Sequence, residues 1–435
     1  MRPLVALVGV LVSAWLLKQG LLDTGSSYET LTLSLALLLI GGYGFAWLFR
    51  RFGLPKVSGY IVAGLFLGPY VLGLETHSQV KQLEFISHFA LALISLAAGG
   101  ELHLSALKNA KSAIVSLLLN RLVLVVGGVW GAIWLAAPLF PFLNGLEGNR
   151  LLVAGLILGV LSFATSPSTL MAVLVETRAR GRFVSVALGA TVVIDVIVVL
   201  LFAATLSFGA PLIDPLQRVN ILAVGMVVLE VALALGLGGL LAVFLIGYLC
   251  FVGKELALVV LTVGFLVARL TPEFSELVSD LLGFEMHIEA LLVCLSAGFV
   301  LRNFSARGEL FIDALNESSL PVYVAFFSLT GAALDVATLR HFWVLALFVV
   351  VVRLFWLWGS GVIAARLAGE PSVHGRWYGL SLSAQAGVSL GLAAMLKVRF
   401  PEMGDELATL CIAIIVINQL VGPVLLKLGI VRTSG

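Results

Sequence analysis

Apolar residues in this chain gather into runs of roughly 16 to 32 positions that do not alternate with polar ones. A helix needs about 20 mostly apolar residues to cross the hydrocarbon of a bilayer, whereas a membrane barrel strand shows a dyad alternation over about ten. The pattern predicts fourteen helical segments, at about 3–18, 31–49, 57–74, 84–100, 113–138, 150–175, 182–207, 219–250, 254–270, 285–302, 319–335, 341–367, 377–399 and 405–428. The first also reads as the apolar core of a signal peptide behind Arg2, although no small-x-small cleavage site follows.

Two runs are interrupted at their centres. In GLILGVLSFATSPSTLMAVLVE (155–176), Thr165, Ser166, Pro167, Ser168 and Thr169 break the apolar stretch. Pro167 removes a backbone donor and disfavours helix at Ser166. In YGLSLSAQAGVSLGLAAMLK (378–397), the interruption is Ser381, Ser383, Gln385, Gly387, Ser389 and Gly391. Such segments suit unwound helices lining a cavity at membrane depth. A cluster of small polar residues can equally serve tight helix packing. The two lie seven segments apart, so they run in opposite directions. With 31–207 and 254–435 taken as inverted six-helix repeats, each is the fifth element of its repeat. Residues 1–30 then form an added helix and loop, and 208–253 a linker helix. The expected bundle around the interrupted helices comprises segments four to seven and eleven to fourteen.

Composition agrees with a polytopic membrane protein. The chain is 60% hydrophobic and 11% charged, with a mean hydropathy of +1.12, against a charged fraction of about 25% in soluble domains. A net charge of +2 gives no sign of a nucleic-acid partner. Cys250, Cys294 and Cys411 sit singly in apolar runs, without disulfide or metal spacing. His103 and His287 fall near helix ends, outside any metal or triad spacing, and His287 with Glu285 and Glu289 reads as a polar helix start. With both termini inside, inside segments hold sixteen Lys and Arg and outside ones eight, the asymmetry of the positive-inside rule.

Against this background, charges inside the runs stand out, because each costs roughly 2.5–3.5 kcal/mol at the bilayer centre. Asp195 is alone between Arg182 and Asp214. A single membrane carboxylate can hold a hard monovalent cation or a proton in turn, which is the simplest chemistry of exchange. The structural alternative is an aspartate paired with backbone or a cation. Glu230 and Arg353 are expected to form a structural ion pair. Arg121 is expected to snorkel from a helix end.

These residues carry a resemblance. FGLPKVSGYIVAGLFLGPYVLG (53–74), LAAGGELHLSALK (96–108), FATSPSTLMAVLVETRARGRFVSVALGATVVIDV (163–196), LPVYVAFFSLTGAALDV (320–336), SAQAGVSLGLA (383–393) and VINQLVGPVLLKLGI (416–430) are similar to segments of the monovalent cation:proton antiporter superfamily, in its second, Kef-like and Nap-like branch. The resemblance implies an all-α fold of about fourteen membrane helices with two crossed, unwound helices. It implies a cation and proton site at Asp195, with Thr165, Thr191 and more weakly Ser166 supplying hydroxyls, backbone carbonyls completing the shell, and Gln385 and Ser389 as crossing-helix polar groups. Ile194 stands where electrogenic members carry a second carboxylate, and Arg353 where they tend to carry a lysine. Together with Glu230 these departures imply electroneutral exchange of sodium or potassium for a proton, without cofactor or enzymatic activity. They imply a homodimer in a bacterial inner membrane. Rival readings are a sodium-coupled solute symporter and a non-transporting ion sensor on the same scaffold.

Overall fold

The computed structural model describes residues 27–146, 148–213, 219, 221–284, 286–317, 319–400 and 403–433. The expected segment 3–18 lies outside them. Helix α1 is Ser27–Arg51, α2 Lys56–Leu67 and α3 Glu84–Gly100. Helix α4, Leu104–Arg121, passes through a π-helical turn, Leu122–Val126, into α5, Gly127–Ala136. Next come α6 (Asn149–Phe163), α7 (Pro167–Thr177), α8 (Arg182–Ile213), α9 (Ile221–Phe251) and α10 (Leu256–Leu282). The chain continues through α11 (Ala290–Phe304), α12 (Ser319–Ala332), α13 (Val336–Ala368), α14 (Ser372–Ser381), α15 (Gly387–Arg399) and α16 (Gly404–Thr433).

Among the described residues, eight helical stretches are long and apolar enough to cross a membrane, and five shorter apolar helices accompany them. The protein is an all-helical integral membrane protein. The outer helix faces stay apolar, with Leu135, Leu139, Phe244 and Phe251 exposed as lipid-facing residues would be.

The chain forms two compact units, each drawing on both halves of the sequence. Among the described residues, one holds those from Ser27 to Glu101, with Met171–Thr177 and Ala234–Asp335. The other holds Leu102–Leu170, Arg178–Leu233 and Val336–Gly435. This corrects the expected bundle, because α3 (the segment at 84–100) and α12 (the segment at 319–335) belong to the first unit.

The reason is glycine packing, which lets helix backbones approach where no side chain intervenes. A Cβ on Gly64 of α2 would collide with Ser328 O of α12, and one on Gly331 of α12 with Ile61 O of α2. In the same unit, a Cβ on Gly99 of α3 would collide with Leu295 O of α11, and one on Gly298 of α11 with Leu96 O of α3. The second helix of each sequence half thus packs against the third helix of the other.

Candidate functional site: the broken helices and Asp195

Both interrupted segments are unwound in the second unit. Helix α6 ends at Phe163, residues 164–166 are not helical, and α7 starts at Pro167. Proline suits a first helical position, where its missing N–H is not needed. Ser166 is the cap: its Oγ accepts from Thr169 N at 3.2 Å, donates to Thr169 Oγ1 at 3.0 Å and lies 3.0 Å from Ser168 Oγ. Its hydroxyl helps to start α7. The second break runs from Leu382 to Ala386, between α14 and α15.

The breaks are tied together by buried side chains. Gln385 Nε2 donates to Leu161 O at 2.5 Å, and Asn418 Nδ2 of α16 donates to Gln385 Oε1 at 2.7 Å. Arg353 of α13 is fully buried. It donates to Ser162 O (2.8 Å), Ala164 O (2.9 Å), Ser383 O (2.7 Å) and Asn418 Oδ1 (3.1 Å). Among the described residues these bonds go to backbone carbonyls and Asn418, where the sequence predicts an ion pair with Glu230. The carbonyl ends of two half-helices, each carrying partial negative charge, take the guanidinium instead. Glu230 sits half-buried on α9.

Arg121 does not snorkel. It is also fully buried and spans the same two breaks, donating to Phe163 O (3.1 Å), Ala164 O (3.0 Å) and Leu382 O (3.1 Å). Its guanidinium carbon lies 5.6 Å from the Phe163 ring centroid, within cation–π range. The exposed lysines Lys108 and Lys111 move the expected start of this segment to 113, which puts Arg121 near an end. The helix actually starts at Leu104 and continues to Leu139, so Arg121 falls at its middle. The π-helical turn follows it directly, a feature frequent at functional sites.

Asp195 and Thr191 share one face of α8, a turn apart, and both are buried, at 8% and 1% exposure. Among the described residues, Thr191 Oγ1 has no hydrogen-bond partner. Packing of α8 against α6 sets their depth. A Cβ on Gly209 would stand 3.0 Å from Val153 Cγ1. Successive spans run in opposite directions, so the rise along both helices can be compared. From Val153 to the end of α6 at Phe163 is about 15 Å, with two non-helical residues more to Thr165, and from Gly209 back to Asp195 about 21 Å, at 1.5 Å per helical residue. The carboxylate therefore lies at the level of the first break, where Thr165 is buried at 4% exposure. Ser389, at the start of α15, is fully buried with Oγ unpartnered.

The arginines already engage several of the carbonyls at the breaks: those of Ser162, Phe163, Ala164, Leu382 and Ser383 accept from them. Other oxygens near a small cation at this depth are the carboxylate, the Thr191 and Thr165 hydroxyls and buried polar groups around the second break.

A second polar cluster joins the starts of α8 and α14. Arg182 Nε donates to Glu370 Oε1 at 2.6 Å, Tyr378 Oη donates to Glu370 Oε2 at 3.1 Å, and His374 Nδ1 lies 3.4 Å from the same oxygen. Phe183 stacks on Tyr378 at 5.1 Å and 5°. Burial pushes the Glu370 carboxyl up, but the bonds from Arg182, Tyr378 and His374 outweigh it and hold the group below the ordinary carboxylate range. Sequence reading missed this cluster because its members come from three separate segments.

A family profile described as "Sodium/hydrogen exchanger, transmembrane" matches residues 34–428. The chain is 34% identical over 160 residues to a Na(+)/H(+) antiporter of Enterococcus hirae, covering 37% of this chain and 38% of the relative. It is 32% identical over 166 residues to the probable Na(+)/H(+) antiporter GerT of Bacillus cereus, covering 36% and 39%. The Na(+)/H(+)-K(+) antiporter GerN of Bacillus cereus is 29% identical over 159 residues, covering 36% and 38%. The matched stretch thus spans under two-fifths of these relatives. The fold is similar to that of MjNhaP1, a sodium proton antiporter of Methanocaldococcus jannaschii, with a TM-score of 0.68 over 92% of this chain and 94% of that one at 16% identity. With the family profile spanning nearly the whole chain, this protein belongs to the sodium/hydrogen exchanger family.

Proposed function

We propose that this protein exchanges a monovalent cation, sodium or potassium, for a proton across a bacterial inner membrane, with Asp195 as the site both compete for. The observation that carries the reading is a buried carboxylate inside a span, level with two helices unwound at the same depth. Thr191 and Thr165 would add hydroxyl oxygens, which suit hard cations. Exchange proceeds by alternating access: Asp195 faces one side of the membrane at a time, releases its proton as the cation binds, and reverses this on the other side.

The proposed stoichiometry is one for one. Ile194 adds no second titrating group beside Asp195, and the buried arginines keep their charge on backbone carbonyls throughout. We further propose that 31–207 and 254–435 are inverted repeats. The reciprocal packing of α2 on α12 and α3 on α11 supports this, as do Arg121 and Arg353, each on the fourth span of its half. Both termini are then cytoplasmic, and a homodimer is the expected assembly.

The test is proton movement in proteoliposomes on adding sodium or potassium, with membrane potential clamped and unclamped. The expected result is cation-driven proton flux, insensitive to potential, that Asp195→Asn abolishes. Full exchange in Asp195→Asn would overturn the reading.

A further inference from the structure

A buried amide that neither half of the site uses lies on α16. Gln419 is fully buried, and among the described residues neither its Oε1 nor its Nε2 has a hydrogen-bond partner. Burying both ends of an amide without partners is costly, and such groups in native structures call for a ligand or ordered water. The main chain adds to the deficit. Pro423, inside α16, has no N–H to return to the carbonyl of Gln419 four residues earlier.

Helix phase shows where this residue points. A Cβ on Gly422 would collide with Ala384 Cα, so that face of α16 lies against the second break. Asn418 and Gln419 precede Gly422 by four and three residues and share its face. Asn418 confirms the direction, because it bonds Gln385 in the break and Arg353 beside it. Around the same break, Ser383 Oγ and Ser389 Oγ are also buried without partners.

We propose that Gln419 is a further cation-binding residue of the exchange site, its Oε1 facing a partly dehydrated monovalent cation beside the second break, with Ser383 and Ser389 hydroxyls as co-ligands. An amide oxygen is a neutral, strongly dipolar acceptor, so it replaces a water of hydration without adding charge. It would therefore shape affinity and selectivity while leaving Asp195 as the charge that exchanges. This deepens the exchange reading and rests on it.

The test compares wild type with Gln419→Met, an unbranched side chain of the same length, in proteoliposomes titrated with sodium and with potassium. The expected result is a rise of about tenfold in the apparent KM for the transported cation, the worth of one contact to a charged group. The kcat should stay within about twofold. In sodium-free detergent the variant should melt at or above the wild-type temperature, because an apolar group replaces an unsatisfied one. A KM within twofold of wild type, or an effect confined to kcat, overturns the proposal. So does a variant that melts lower without sodium, which would show the amide bonded within the fold. If wild type shows no exchange, it is the exchange reading that fails. Sodium-dependent gain in melting temperature, present in wild type and lost in Gln419→Met, then still reads the binding site by itself.

Discussion

Ala164 O accepts from both buried arginines, at 3.0 Å from Arg121 Nη2 and 2.9 Å from Arg353 Nη2, and this sharing makes a quantitative prediction. Replacing Arg121 with Met leaves Phe163 O and Leu382 O without their guanidinium donor, while Ala164 O keeps Arg353. Each orphaned buried acceptor costs about 1–3 kcal/mol. Loss of the unfavourable burial of the charge itself offsets part of that. Arg353→Met orphans Ser162 O, Ser383 O and Asn418 Oδ1, so it should cost more. In the double variant Ala164 O loses its last donor, a further 1–3 kcal/mol or so that neither single change incurs. The two guanidiniums also repel each other. Each single variant gains that relief, and the double gains it only once. Both effects have the same sign, so the double variant should be destabilised by at least about 1–3 kcal/mol more than the sum of the singles. Unfolding of the purified protein in mixed micelles by SDS titration measures all three. Additivity within about 0.5 kcal/mol, the value for independent sites, would refute a shared carbonyl.

Other outcomes follow from the same contacts. Gly298→Leu should destabilise by more than about 1–3 kcal/mol, because the new side chain meets the α3 backbone and overpacks a contact that cannot yield. Gly359→Ala, with nothing within 4 Å, should be neutral or stabilise by up to about 1 kcal/mol; thermal melting in detergent compares the two. Thr191→Val should leave the melting temperature unchanged or raised, since its hydroxyl has no partner in the fold, while raising the cation KM in the flux assay. Glu370 is held below the ordinary carboxylate range, so its stabilisation is complete above the unfolded-state value. It is lost as pH falls through the lower folded-state value. Melting of wild type should drop over that acid window, and Glu370→Gln, lower at neutral pH, should drop less.

The hydrophobic pattern located nearly every helix because membrane spans are set by a length and a polarity that composition records directly. Pro167 and the Ser–Gln–Gly cluster at 381–391 marked the breaks for the same local reason: helix cannot run smoothly through them. What the pattern could not show was partnership. Glu230 and Arg353 have opposite charge, yet Arg353 is satisfied by carbonyls that any residue would carry, and carbonyls leave no trace in a sequence. Arg121 was misplaced in depth by two surface lysines on the same helix. The grouping of α3 and α12 with the first unit depends on glycines 64, 99, 298 and 331, each unremarkable in a chain with 45 glycines.

The arginine arrangement bears on the electroneutral exchange proposed for Asp195. Half-helix carbonyl ends are an obvious reservoir of oxygens for a cation, and had they been open, an ion could have bound there without displacing a proton. Here Ser162, Phe163, Ala164, Leu382 and Ser383 are occupied by the protein's own cations. Two fixed positive charges beside the site also raise the cost of any uncompensated cation, by an amount that grows as the local dielectric falls. On the proposed mechanism, a sodium or potassium ion would then enter by pairing with ionised Asp195, which would release its proton. Neutral acceptors, the threonine hydroxyls and the Gln419 amide, would add affinity without relaxing this rule. On that proposal, occupancy by cation or by proton would leave the same total charge in the unit, which is the condition for an exchange that the membrane potential does not drive.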